Sequence, residues 1–383
     1  MAFIKTNLVG KLQRDDRLQF PNIEQPRPLG CFSLDTNRDY QNTAENFRYF
    51  RMPSRLPLNL NAGYGQAKSK PENREEKERL YPVLHFILNH QNEHLSKKPS
   101  SSNTKAVEGF DFIAFRGLLR VVMSTPYEAR EDWCIQATRY KGNIYLCEKE
   151  TDQKRHERCN QDDYQKRCCA YGLKFEQYCL SDSPYEEPIT NVPVDECAEF
   201  HCVFKTQFPG MTLLYGAEID GALSNNLVLN VENKDILSSL RFMELKCSLR
   251  PTNERQYQNF RRFKCRNWWC QCFLAGINDI MIGYRNESGF VDEIIHMETR
   301  CLPQLGANFW DPSQCANFLI KFLNMVKREM KNLDCPHTVY EFYFNPRSRA
   351  IGYRIYAGKS SNSFLPDWYV TVLENRFADV PKI

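Results

Sequence analysis

Residues 241–249 read Arg-Phe-Met-Glu-Leu-Lys-Cys-Ser-Leu, an apolar stretch with a glutamate and a lysine two positions apart in its middle. The stretch reads as a buried strand, and strand side chains at i and i+2 leave on the same face, so Glu244 and Lys246 project together. A charge inside such a strand must be paired or metal-bound, because burying it alone is costly. The fold therefore has to deliver partners to this strand. Upstream, Glu218-Ile-Asp220 closes another strand-like stretch, 212–219, which carries Leu213, Leu214 and Tyr215. The same period-two rule puts Glu218 and Asp220 on one face. If the two strands are neighbours, three carboxylates and one ammonium converge.

Three such carboxylates repel one another and raise each other's pKa. Mg²⁺ or Mn²⁺, which favour hard oxygen ligands, would remove the conflict. The Leu245 side chain points to the opposite face, but its backbone carbonyl lies between the two charged positions and can complete a metal shell. Two ions roughly 3.5–4 Å apart would suit in-line displacement at phosphorus. Lys246 would then orient water or neutralise charge on the phosphoryl oxygens. Gln271, in Trp268-Trp-Cys-Gln271, cannot ionise and suits positioning of water or phosphate. Glu176, in Gly172-Leu-Lys-Phe-Glu176, would hold the second ion. A bare acid-x-Lys triplet arises by chance about three times in a chain of this composition. A structural ion pair therefore stays open as the alternative reading of Glu244 and Lys246.

Composition excludes other classes. The 42% hydrophobic and 26% charged fractions are those of a globular protein. No apolar run approaches the roughly 18 residues of a membrane helix. Charges scattered through residues 1–20 break any signal-peptide core, so a soluble, non-secreted protein with no membrane partner is expected. Net charge is 51 − 47 = +4, so only local patches can argue for nucleic acid. The 16 cysteines form no CxxC pair, which leaves zinc ribbons and thioredoxin-like sites without support and suggests reduced thiols. The seven histidines contain no HExxH. His201 and Cys202, adjacent in a strand, face opposite ways and make a poor nucleophile–base pair.

Along the chain, residues 1–70 are rich in Pro, Asn and Arg and read as an extended N-terminal wrapping arm. Apolar spacings predict helices near 73–94, 126–137, 162–179, 253–274, 312–330 and 365–374. Strands are expected at 112–115, 143–148, 212–219, 241–249, 279–285, 290–297, 339–344 and 352–356, with a surface loop over 97–102. With no repeat and no long linker after 105, residues 1–383 read as a single α+β domain with mixed sheets. Arg250, Arg255, Arg261, Arg262, Lys264 and Arg266, interleaved with aromatics, suggest an RNA groove beside the acidic strand.

These motifs, taken in order, resemble the decapping exoribonuclease (DXO) family. The match runs through Leu29-Gly-Cys-Phe-Ser-Leu-Asp35, Phe115-Arg-Gly117, Thr125-Pro-Tyr-Glu128, the Gly172–Glu176 segment, Glu218-Ile-Asp220 and Glu244-Leu-Lys246. It continues through Trp268–Gln271 and Gly283-Tyr-Arg-Asn286 to Phe364-Leu-Pro-Asp-Trp368. Phe115 stands where Trp is frequent, and Ala217 interrupts the usual Gly before Glu218; both neighbour the site rather than form it.

The resemblance implies two twisted mixed β-sheets flanked by helices around a PD-(D/E)xK nuclease-like core, with the site in a deep cleft. It implies metal-dependent hydrolysis at RNA 5′ ends. Incomplete or unmethylated caps, NAD caps or pyrophosphate would be removed, with 5′→3′ exonuclease action in some members. By motif, Glu176, Glu218, Asp220, Glu244 and the Leu245 carbonyl form the shell of two divalent ions, Mg²⁺ or Mn²⁺. Glu218, Asp220, Glu244, Lys246 and Gln271 are the catalytic set, and Glu218, Lys246 and Gln271 also face substrate. Arg38, Glu78, Arg116, Gly117 and Cys202 fall where family members touch the RNA or its cap. The implied partners are RNA 5′ ends and a nuclear 5′→3′ exoribonuclease, and the implied location is the nucleus, with the cytoplasm as a second site. A non-catalytic binder that stabilises such an exoribonuclease is the alternative, and the intact carboxylate set argues against it.

Overall fold

The two acidic stretches belong to different sheets. The computed structural model describes residues 4–6, 18–71, 79–96 and 105–377. Numbered in chain order, one sheet holds β1 (Ile4–Thr6), β2 (Arg27–Leu34), β3 (Tyr40–Gln41), β6 (Phe112–Phe115), β7 (Trp133–Tyr140), β8 (Asn143–Lys149), β10 (Glu199–Phe208), β11 (Met211–Glu218), β16 (Val339–Asn345) and β17 (Ala350–Tyr356). Its spatial order is β1-β17-β16-β7-β8-β6-β11-β10-β2-β3. The other holds β4 (Tyr49–Phe50), β5 (Leu58–Asn59), β9 (Leu180–Ser181), β12 (Gly221–Ala222), β13 (Phe242–Leu249), β14 (Asp279–Arg285) and β15 (Phe290–Glu298), ordered β5-β15-β14-β13-β12-β4-β9. Both are mixed: β6 runs parallel to β8 and β11, and β13 parallel to β14, among antiparallel pairs.

The helices are α1 (Tyr81–Asn89), α2 (Gln91–His94), α3 (Arg116–Ser124), α4 (Asp152–Cys159), α5 (Asp163–Cys179), α6 (Lys234–Ser239), α7 (Glu254–Asn259), α8 (Cys265–Phe273), α9 (Cys301–Gly306), α10 (Pro312–Glu329) and α11 (Asp367–Phe377). They separate into layers because alternate strand residues feed different cores. Leu213, Tyr215 and Ala217 of β11 join a core shared with α3, α8, α10 and the inner face of β14. Leu214 faces the other way, into a core with α1 and α11. Beyond the smaller sheet, α5 packs Tyr171 and Phe175 on Met243, Leu245 and Met281. Local signals fix the long helices: Asp162 and Gln165 form a capping box on α5, and Asp311 caps α10 ahead of Pro312.

The α+β class with two mixed sheets stands as expected. The helix expected near 126–137 is instead a 3₁₀ turn, Thr125–Tyr127, followed by β7. β7 lies between β16 and β8 with both faces covered, so Cys134, Gln136 and Thr138 are buried along with Trp133, Ile135 and Ala137. That erases the polar alternation that marks a half-exposed strand. The helix expected over 253–274 is interrupted by a π turn, Phe260–Lys264, between α7 and α8. The N-terminal arm does more than wrap: β2 pairs with β10 as an integral strand, and β4 and β5 extend the smaller sheet. Residues 72–78 and the loop expected over 97–102 lie outside the described residues. None of the sixteen cysteines is disulfide-bonded, and no described helix is long and apolar enough to cross a membrane.

Candidate active site

The chain passes from the large sheet to the small one at Glu218-Ile219-Asp220. β11 ends at Glu218 and β12 starts at Gly221. Glu218 and Asp220 therefore do not share a strand face, contrary to the period-two expectation. They flank a crossover in which Ile219 is buried and its N–H donates to the Phe200 carbonyl. Gly221 permits the step: a Cβ there would lie 2.7 Å from a Leu180 methyl and 3.2 Å from the Arg48 carbonyl oxygen.

β12 pairs with β13 at Gly221–Met243 and Ala222–Phe242, so from Glu244 onward that edge of β13 has no strand neighbour among the described residues. Asp220 covers its start, where Oδ2 accepts the Leu245 N–H at 2.7 Å. Glu244 is 1% exposed, and its Oε1 accepts from Lys246 Nζ at 2.5 Å and from the Gln271 amide on α8. Among the described residues its Oε2 accepts no hydrogen bond; the Arg116 Nη1 lies 3.7 Å away. Glu176, in the last turns of α5, lines a cavity of about 370 Å³ together with Glu218 and Asp220. Gly283 on β14 lets α5 come this close, since a Cβ there would sit 2.5 Å from the Phe175 ring.

Electrostatics shows what the cleft lacks. Asp220 is pushed up to about 7 by burial and by the Glu244 charge. Glu218 is pushed up to about 7 by Glu199 first and burial second. Glu176 is raised well above the carboxylate range by burial, then by Asp220 and Glu218. Burial works against the Lys246 charge, but Glu244 and Asp220 outweigh it and raise the ammonium pKa. Lys246 and the more distant Arg116 guanidinium cannot neutralise four carboxylates. All the ligand atoms are hard oxygens, and one of them, Glu244 Oε2, is a buried acceptor without a hydrogen-bond donor among the described residues. Divalent cations fit that description. Among the described residues Glu176, Glu218 and Asp220 line one cavity, with Glu244 close enough to raise Asp220, but the four do not close into a tight ligand group.

Glu199, which lines the same cavity, was not foreseen from sequence. Its carboxylate meets Arg38 Nη1 and Nη2 at 3.1 Å each, His201 Nε2 at 2.8 Å and the Lys70 ammonium. Burial opposes its charge, yet His201, Lys70 and Arg38 together hold its pKa far below the usual range. The visible signal was the Glu199-x-His201 spacing on one strand face. Arg38 is thus engaged with Glu199 and the Cys197 carbonyl. Arg116 starts α3 behind Glu244, and Gly117 lines a neighbouring cavity of about 520 Å³. The Cys202 side chain is fully buried in the core, out of reach of substrate. Glu78 lies outside the described residues. The basic cluster is dispersed: Arg250 pairs with Asp292 and Glu293, and Arg266 is buried against the Tyr127 carbonyl and Glu128.

An acidic crossover feeding a Glu-x-Lys strand, flanked by an acidic helix and a glutamine-bearing helix, defines a nuclease of the PD-(D/E)XK type. The model of the family described as RAI1 like PD-(D/E)XK nuclease matches residues 24–370. The chain belongs to that family. It is similar to the decapping and exoribonuclease protein Rai1 of Drosophila melanogaster, with 33% identity over 360 residues covering 93% of each chain. Solved structures share the fold. Scheffersomyces stipitis Rai1, in complex with (3′-NADP)⁺ and calcium ion, superposes with a TM-score of 0.79 at 21% identity, covering 98% of each chain. Candida albicans Rai1 in complex with pU5-Mn²⁺ gives 0.75 at 18% identity, over 92% of this chain and 96% of that one.

Proposed function

We propose that the chain is a metal-dependent hydrolase of RNA 5′ ends. It removes incomplete or unmethylated caps, NAD caps or the pyrophosphate of 5′-triphosphate RNA, with 5′→3′ degradation as a further step. The observation that carries this is the set Glu176, Glu218, Asp220 and Glu244 at the sheet crossover, short of positive charge and served by Lys246 and Gln271. Relatives named for decapping and exoribonuclease activity support the substrate class. Nuclear location and an exoribonuclease partner rest on the family resemblance.

Glu176, Glu218, Asp220, Glu244 and the Leu245 carbonyl would hold Mg²⁺ or Mn²⁺, in two positions. Ions there supply Lewis-acid polarisation of the phosphoryl oxygen and compensate charge in an in-line displacement. Lys246 presents its ammonium to a phosphoryl oxygen or the attacking water while Glu244 anchors it. Gln271, tied to the same carboxylate oxygen, orients that water through its amide. The buried Arg116 guanidinium stands behind Glu244, 3.7 Å from its Oε2. Asp220 fixes the Leu245 peptide and so the height of the Glu-x-Lys segment in the cleft.

The test uses matched RNAs ending in 5′ triphosphate, unmethylated cap, NAD or monophosphate, incubated with Mg²⁺ or Mn²⁺. Release of intact pyrophosphate, cap or NAD by the wild type, with a silent Glu218→Ala/Asp220→Ala variant, is the expected result. Tight RNA binding with no product from any substrate would replace the enzyme by a binding factor.

A further inference from the structure

A cavity of about 290 Å³ lies between α3, α8 and the turn that leads into β7, and its lining shares no residue with the acidic cavity. Arg120 and Ser124 reach it from α3, Arg266 and Asn267 from α8, Arg130 from the turn and Phe263 from the π turn. The Phe263 ring gathers three guanidiniums, with Arg262 at 5.4 Å, Arg130 at 5.8 Å and Arg266 at 6.0 Å from its centre. Arg266 is 1% exposed, and its Nε is buried without an acceptor among the described residues. Its terminal nitrogens meet the Tyr127 carbonyl at 3.1 Å and, at the limit of contact, Glu128 at 3.5 Å. Arg120, Arg130 and Arg262 have no carboxylate at ion-pair distance among the described residues.

The acids that line the same cavity are engaged elsewhere or face solvent. Glu148 pairs with Lys154 at 2.8 Å, and Asp132 accepts the Thr151 hydroxyl at 2.6 Å. Glu128 Oε1 folds back onto the N–H groups of Ala129, Arg130 and Glu131, at 2.9, 2.9 and 3.2 Å. Glu131 is exposed. Ser124 Oγ donates to Asn267 Oδ1 at 3.0 Å, which leaves the Asn267 amide nitrogen as a donor.

Guanidiniums gathered in this way repel one another, and a buried donor with an unmade hydrogen bond is costly to hold. An anion relieves both. Planar forks that converge with an amide suit a tetrahedral oxyanion of more than one charge. A phosphate monoester, whose second pKa is about 6, is mostly dianionic at neutral pH, whereas a phosphodiester carries one charge.

We propose that this cavity binds a dianionic phosphate, of the kind carried by a nucleoside 5′-monophosphate, at a site separate from the acidic cleft. The anion bridges Arg120 on α3 and Arg266 on α8. The same two helices bring Arg116 and Gln271 to Glu244, so an occupied cavity braces them against each other behind that carboxylate. The bracing bears on catalysis only through the hydrolase reading above; the binding stands without it.

The experiment titrates uridine 5′-monophosphate and inorganic phosphate into the full chain in EDTA at pH 7.5, read by calorimetry and by the shift in Tm. Both should bind and raise Tm, and tighter binding of the nucleotide would name it, rather than phosphate itself, as the occupant. The methyl ester of the nucleotide, a phosphodiester, should bind about tenfold more weakly. Arg120→Met and Arg130→Met should each weaken the nucleotide about tenfold, with Arg120→Lys in between. Arg250→Met should bind as the wild type does, since that guanidinium already pairs with Asp292 and Glu293. Equal affinity for the diester would make the cavity a contact for RNA backbone and overturn the proposal. Binding that survives Arg120→Met and Arg130→Met but is lost in Glu218→Ala/Asp220→Ala would place the phosphate in the acidic cleft and overturn it too. A lower Tm of the Met variants without phosphate, at unchanged affinity, would mark the arginines as structural. Failure of every RNA to be cleaved would remove the hydrolase reading and leave this binding result intact.

Discussion

Glu199 and Glu218 sit on neighbouring antiparallel strands, and the partner of Glu218 in register is His201, two residues from Glu199. Their circumstances are opposite. Glu199 has its partners built into the chain, the cations Arg38 and Lys70 on the N-terminal arm and the His201 ring on its own strand, and it stays ionised far below the usual range. Glu218 faces Glu199 and Asp220 and is pushed up to about 7. A carboxylate that the fold itself neutralises is structural, whereas a cluster left unneutralised is built for a cation from solution. The contrast separates an ion-pair tier that locks the arm onto β10 from an acidic tier held open for metal.

The sharpest way to break the comparison is to remove the structural carboxylate. Glu199→Gln leaves the Arg38 and Lys70 charges facing one amide and should destabilise the protein by about 3–5 kcal/mol in urea unfolding. A loss below about 1 kcal/mol, the range of an exposed pair, would erase the distinction between the tiers. On the acidic side, Gln271→Ala removes one positioning donor and should lower kcat about a hundredfold with little change in KM. A purely structural Gln271 would instead lower stability and leave kcat intact.

Much of this was legible in the sequence, and the reasons for the rest are physical. β13, α5 and α10 announced themselves through their apolar pattern. The acidic strand stood out because Glu244 and Lys246 interrupt an apolar run. The crossover did not, since nothing local says that β11 stops at Glu218 and the chain changes sheets before Gly221. β7, buried on both faces, lacks the alternation a strand usually shows. The Glu199 tier joins residues 38, 70, 199 and 201, and such distant partners leave no periodic trace. Within the run of arginines, the pairing of Arg250 with Asp292 and Glu293 and of Arg266 with Glu128 was hidden because it depends on tertiary contacts.

pH offers a weaker but cleaner handle on the two tiers. Glu199, whose folded pKa is depressed, contributes stability above its unfolded pKa of about 4.3, and that contribution is lost as pH falls through the folded value. Asp220 has a raised folded pKa, so its contribution is present below the unfolded pKa of about 3.9 and lost as pH rises toward about 7. Metal-free protein should therefore lose on the order of 2 kcal/mol between pH 5 and 8, after discounting for partial exposure. Asp220→Asn should flatten that limb, and a metal-free stability that rises across the same range would contradict the assignment. The smallest effect concerns the position of Glu176. Gly283→Ala pushes a methyl against Phe175, and the resulting overpacking of about 1–3 kcal/mol should displace α5 and weaken metal affinity more than Ala substitution at the exposed Leu229 does.

The central claim is that the crossover carboxylates hold the divalent cation on which hydrolysis depends. Its most direct test titrates Mn²⁺ into the wild type and into Glu218→Ala/Asp220→Ala, following the free-ion paramagnetic resonance signal and RNA cleavage in the same samples. Saturable binding that tracks cleavage in the wild type, with both lost in the variant, is the predicted result. Undiminished Mn²⁺ binding by the variant, or cleavage that proceeds without the site being filled, would contradict it.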